Sequence, residues 1–82
     1  MRTTLFGGRT CRGRQLRYYL LAEEREGSGE EYGLRVEYAG EAETIRGVTV
    51  SLRRIESLLG AMLRGAVTPT AARDVVEDWL LC

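Results

Sequence analysis

From Tyr32 to Tyr38 the chain alternates without a break: Tyr32, Leu34, Val36 and Tyr38 take one side, and Glu31, Gly33, Arg35 and Glu37 take the other. A repeat of two is a strand with one apolar face. Gln15 to Glu23 repeats the pattern less cleanly, with Leu16, Tyr18, Leu20 and Ala22 facing one way and Arg17, Tyr19 and Leu21 the other. That second face is only partly polar, which predicts contact with something more than water. Arg2 to Phe6, rich in Thr, Leu and Phe, predicts an opening strand. Glu43 to Val50 predicts a further one, interrupted at Gly47 by a bulge or an early end. Turns are expected at the glycine- and arginine-rich stretch Gly7 to Arg14, at Glu24 to Glu31, and at Ala39-Gly40-Glu41.

Beyond Ser51 the period changes. Leu52, Ile55, Leu58, Leu59, Met62 and Leu63 recur at three- and four-residue steps, which gathers them on one stripe of a helix. Ser51 is placed to cap its start, Gly60 is read as tolerated inside it, and Gly65 has the residue type wanted where a helix ends in a left-handed turn. Thr68-Pro69 signals a second start, a capping hydroxyl followed by a proline that needs no N–H. Ala72, Val75, Val76, Trp79 and Leu80 continue the stripe. The short link between the two helices favours antiparallel neighbours. The expectation is a single α+β domain over residues 1–82. A three- to four-stranded antiparallel sheet is followed by a C-terminal two-helix hairpin packed on one face, with the membership of residues 2–6 left open.

At 82 residues the chain has room for one core. Such a domain buries roughly 60–65% of the surface of its unfolded chain, a margin thin enough to make self-association a natural expectation. A hydrophobic fraction of 44% is too high for a disordered chain. No apolar run approaches the ~18 residues that would span a bilayer, so no membrane partner is expected. Met1 leads into Arg2 and a strand-like stretch without the apolar core of a secretory signal, which makes the cytoplasm the expected compartment.

Net charge is zero. All the basic residues are arginine, a pattern that a GC-rich coding bias accounts for better than phosphate recognition does. The charges fall in blocks: Arg2, Arg9, Arg12, Arg14 and Arg17 precede a glutamate-rich stretch from Glu23 to Glu43, and antiparallel strands can set the two side by side and cancel both. Cys11 and Cys82 match no metal or redox spacing and read as free thiols, or as a disulfide in an oxidising compartment. Neither a metal nor a cofactor is expected. The chain has no histidine, the usual proton shuttle near neutral pH, and its serines sit at a turn, a cap and a helix. These features point away from an enzyme.

Tyr32-Gly33-Leu34-Arg35-Val36, the helix from Ser51, and Val67-Thr68-Pro69 leading into Asp74-Val75-Val76-Glu77-Asp78-Trp79-Leu80 resemble a family of small uncharacterised proteins from Gram-positive bacteria. The likeness covers roughly residues 30–81 and leaves the basic stretch Gly7 to Arg14 outside. It implies a compact bacterial domain and brings no catalytic residue with it.

Two functional expectations follow. The first is a non-catalytic protein-interaction or regulatory module, binding a protein partner or a second copy through Tyr19, Leu21, Trp79 and Leu81, since aromatic anchors dominate interface energetics. The alternative is a nucleic-acid binder using Arg9, Arg12, Arg14 and Arg17 as an anion-holding group, with Tyr18 or Tyr19 to stack on bases.

Overall fold

The computed structural model describes residues 1–27 and 29–81. Among them the chain forms strands β1 (Arg2–Cys11), β2 (Arg14–Glu24), β3 (Glu30–Tyr38) and β4 (Glu41–Thr49), then helices α1 (Leu52–Arg64) and α2 (Pro69–Leu80). The strands make one antiparallel sheet in the order β1-β2-β3-β4. Its apolar face carries Leu16 and Tyr18 from β2, Leu34 and Val36 from β3 and Ile45 from β4. These pack on Ile55, Leu58, Leu59 and Met62 of α1 and Ala72 and Val76 of α2. Burying each of the larger of these side chains is worth about 1.5–3 kcal/mol, so this face supplies most of the stabilisation. No helix among the described residues is long and apolar enough to cross a membrane.

β1 extends well past its expected end. Gly7 to Cys11, read above as loop, continues the strand, and only Arg12-Gly13 turns. The glycines serve packing instead: a Cβ on Gly7 would stand 3.1 Å from Leu63 of α1, and one on Gly8 3.0 Å from the Leu16 carbonyl. Phe6 is the extra residue of a bulge, since Leu5 pairs with Tyr19 and Gly7 with Tyr18. Both tight hairpins have two residues at positive φ, Arg12-Gly13 (52° and 80°) and Ala39-Gly40 (53° and 82°). This is the type I′ pattern, whose twist matches that of the strands it joins.

α1 lies across all four strands and α2 over β3 and β4. The Arg54 guanidinium sits 4.6 Å from the centre of the Trp79 ring, which sets the start of α1 beside the end of α2 and makes the pair antiparallel. Ser51 caps α1 as its residue type implies, its hydroxyl accepting from the Arg54 N–H at 3.2 Å. The other end differs from expectation. Gly65 keeps φ −87° and Ala66 takes the left-handed turn at φ 52°. The Val67 N–H donates to Met62 O at 3.0 Å and the Ala66 N–H to Leu63 O at 3.3 Å, the paired bonds of a Schellman ending shifted by one residue.

Two more side chains then lock that ending to the sheet. The Tyr18 hydroxyl approaches Val67 O at 2.7 Å and Met62 O at 3.1 Å, and the Arg9 guanidinium donates to Leu63 O and Arg64 O at 3.1 Å each. Thr68 stands at the N-cap of α2 without a side-chain cap bond, so Pro69 alone carries that start signal. Leu52 and Leu80, counted in the stripes above, are 44% and 52% exposed, because each lies at the outer edge of its helix's apolar arc.

Candidate interaction surface

Among the described residues the helices cover one face of the sheet and leave the other without a covering layer. Strand alternation puts Arg17, Tyr19, Leu21 and Glu23 of β2 there, beside Glu31, Gly33, Arg35 and Glu37 of β3. Much of this face is tied together by polar contacts. Glu37 accepts from the Tyr19 hydroxyl at 3.1 Å and from Arg35 Nε at 2.8 Å, while Arg35 Nη1 donates to the Thr44 hydroxyl at 2.8 Å. The Arg35 bond foremost, and the Tyr19 bond with it, hold the Glu37 carboxyl below its ordinary value against the opposing effect of burial.

A second group is built by the bulge in β4. Tyr32 pairs with Thr49 and Leu34 with Ile45, so Gly33 alone faces the looped-out residues 46–48. Any side chain there would collide, since a Cβ on Gly33 would lie 2.3 Å from the Ile45 carbonyl oxygen. The bulge sends Arg46 across to Glu23 on β2, donating through Nε to Oε1 at 2.9 Å and through Nη2 to Oε2. That hydrogen bond lowers the Glu23 pKa and raises that of Arg46.

Leu21 pairs with Gly33 on one side and Thr3 on the other, and its side chain is 1% exposed. Of the four residues expected at an interface, Leu21 is therefore already covered within its own chain. Tyr19 is half-buried on the uncovered face. Trp79 is half-buried in the helical layer beneath Arg54, and Leu81, at the end of α2, is 86% exposed. The two pairs stand on opposite sides of the sheet.

The four arginines separate as well. Arg9 is committed to the α1 carbonyls, Arg12 sits in the hairpin turn, Arg14 pairs with Cys11 across it, and Arg17 lies on the uncovered face opposite Glu37. Tyr18, named above as a residue to stack on bases, is buried with its hydroxyl engaged. An open depression of about 290 Å³ beside the β3–β4 turn brings Gln15, Arg17, Arg35 and Glu37 together, but Arg35 and Glu37 spend their charges on each other. Among the described residues no group of three or more acidic or cysteine side chains is placed to hold a metal ion. A Cys11–Cys82 bridge involves a residue outside those described; Cys11 is half-buried, and its carbonyl accepts from the Tyr38 hydroxyl at 2.9 Å.

Sequence reasoning read Arg2 to Phe6 as an opening strand but did not single it out as a surface. Every residue from Met1 to Phe6 is exposed, and the apolar ones, Met1, Leu5 and Phe6, are 72%, 57% and 36% accessible. Leu5 stands next to Tyr19 in register, so its side chain continues the apolar surface onto the uncovered face. The signal was legible in Leu5-Phe6, two adjacent large apolar residues that point to opposite faces of a strand, one of which the helices leave uncovered. A second exposed apolar group, Val50 and Leu52 with Leu80 and Leu81, belongs to the end where α1 starts and α2 stops.

Comparison with known proteins agrees with a domain whose role is open. The chain matches no curated protein and no solved structure. Residues 6–81 match a protein family of unknown function, DUF6514. The match takes in almost every element described above, including the basic hairpin at Gly7 to Arg14 that the likeness seen in the sequence left outside. The chain belongs to DUF6514, a family of unknown function.

Proposed function

We propose that this domain is a non-catalytic protein-interaction module that works through the corner formed by the first half of β1 and the adjoining uncovered sheet face. The observation that carries this reading is the run of exposed residues from Met1 to Phe6, where Leu5, beside Tyr19, and Phe6 lie open on an edge strand that Met1 precedes. An edge strand offers unpaired main-chain N–H and C=O groups, and apolar side chains beside them add affinity that water does not compete for. The absence of histidine and the neutral net charge agree with a module that neither transfers protons near pH 7 nor condenses on a polyanion.

The test is affinity capture from native lysate, together with co-expression of two differently tagged copies, each with and without nuclease. A protein retained after nuclease by the parent chain and lost by Leu5→Lys supports the module. Retention that vanishes with nuclease assigns the chain to nucleic acid instead. Retention indifferent to Leu5→Lys removes the β1 corner.

A further inference from the structure

The two edges of the sheet are unlike. β4 is blunted in three of the ways that natural sheets use: it carries Glu41, Glu43 and Arg46, its regular pairing breaks at the bulge opposite Gly33, and α2 packs against it with Arg73 reaching Glu43 at 3.5 Å. The first half of β1 has little of this. Thr3-Thr4-Leu5-Phe6 is uncharged, free of proline and built from residues that favour extended chain. Its flanking charge, Arg2, is drawn to Glu30 on β3 at 3.2 Å, which leaves the edge between Arg2 and the Phe6 bulge without a charged guard.

We infer that this edge is occupied by the same edge of a second copy. β1 would pair antiparallel with β1 of its partner about a two-fold axis perpendicular to the sheet, producing one eight-stranded sheet with all helices on a single side. The inference rests on the interaction-module reading and names its partner.

Several features favour a second copy over an unrelated strand. A two-fold centred on Thr4 sets Thr4 against the same residue of the partner, Thr3 against Leu5, and Arg2 against Phe6. Every exposed apolar side chain of the segment beyond Met1 then gains a neighbour, and no two like charges meet. The segment carries no free charge of its own that would select a charged foreign partner. The Phe6 bulge breaks the register, so the pairing ends there and the association stays closed at two.

The contact is short. Pairing five residues edge to edge covers less than the ~800 Å² per partner of a standard stable interface, which places the dimer among weak, concentration-dependent associations.

Sedimentation velocity from low micromolar to millimolar concentration reads this out, using the parent chain, Leu5→Lys and Leu80→Lys. Both substituted residues are more than half exposed, and circular dichroism confirms that each variant is folded. The inference expects the parent to rise toward twice 9.2 kDa with concentration. Leu5→Lys should associate about tenfold or more weakly, because lysine is the side chain that guards natural edges. Leu80→Lys, on the other exposed apolar group, should behave like the parent.

A parent that stays monomeric throughout overturns the dimer. So does a dimer untouched by Leu5→Lys or dissolved by Leu80→Lys. If the parent is monomeric but Leu5→Lys still loses a captured protein, self-pairing fails while the module survives. If capture returns only nucleic acid, both fail.

Discussion

Replacing Tyr18 by phenylalanine removes one oxygen from the middle of the fold and leaves the ring where it was. In the parent that oxygen approaches Val67 O at 2.7 Å and Met62 O at 3.1 Å, joining β2 to the turn between α1 and α2. Met62 O keeps a second partner after the change, the Val67 N–H at 3.0 Å. Val67 O loses its short bond, and a part-buried carbonyl left without its partner costs about 1–3 kcal/mol. Apolar burial hardly changes, so the expected loss is about 2 kcal/mol, and at ~4–8 °C per kcal/mol for a domain of this size Tm falls by about 8–16 °C.

Urea and thermal unfolding followed by circular dichroism measure both quantities. A loss below about 0.5 kcal/mol would refute the idea that the hydroxyl holds the helical ending to the sheet. Alkali supplies a second reading. Burial, the largest cause, pushes the Tyr18 pKa from 10.0 up to about 12. The folded state thus favours the protonated phenol, and its contribution is complete below pH 10 and lost as pH rises toward about 12. The gap between parent and Tyr18→Phe should narrow over that range. Tyr38, shifted in the same direction chiefly by burial, accounts for part of the alkaline loss that remains in the variant.

Gly33→Ala forces a methyl against the Ile45 carbonyl and the Arg46 Cα, both main-chain atoms that cannot swing aside. It should cost about 3 kcal/mol or more, read by urea unfolding, and a neutral result would mean that the β4 bulge is not held closely over Gly33. Ala39→Asn puts a residue tolerant of positive φ into the exposed Ala39-Gly40 turn and should stabilise by about 0.5–1 kcal/mol in the same assay. Glu23 and Glu37 titrate below their ordinary value of 4.5, each held there first by its arginine partner. The unfolded chain therefore binds more protons in that window, so their contribution is present above pH 4.5 and lost as pH falls. In a pH series of urea midpoints, Glu37→Gln should flatten its share of the acid decline.

Much of the fold was legible in the chain. The alternation in β3 and the stripe of α1 each assigned the right face, because burial on one side leaves a period that no local detail disturbs. A bulge or an early end was expected near Gly47 from a glycine breaking the apolar sequence, and the structure has the bulge. What misled were glycines whose reason lies elsewhere in space. Gly7 and Gly8 read as a loop, yet they are strand residues kept small by Leu63 and the Leu16 carbonyl, partners that sequence does not reveal. Ala66 turns left-handed in place of Gly65 because bonds from Ala66, Val67, Tyr18 and Arg9 fix the ending one residue later. On the surface, the apolar side of Tyr19 and Leu21 was identified, but the Arg46 strap to Glu23 and the burial of Leu21 depend on a long-range crossing of strands. The exposed start of β1 was visible as a strand and not as an edge, since strand order is a property of the whole sheet.

Residue-resolved amide hydrogen exchange at two protein concentrations tests the central claim most directly, because it reads the edge itself. Raising the concentration through the association range should slow exchange at the outward-facing amides between Arg2 and Phe6, while β3, already paired on both sides, stays unchanged. Slowing confined to the helix ends around Leu52 and Leu80, with β1 exchanging at one rate throughout, would contradict it.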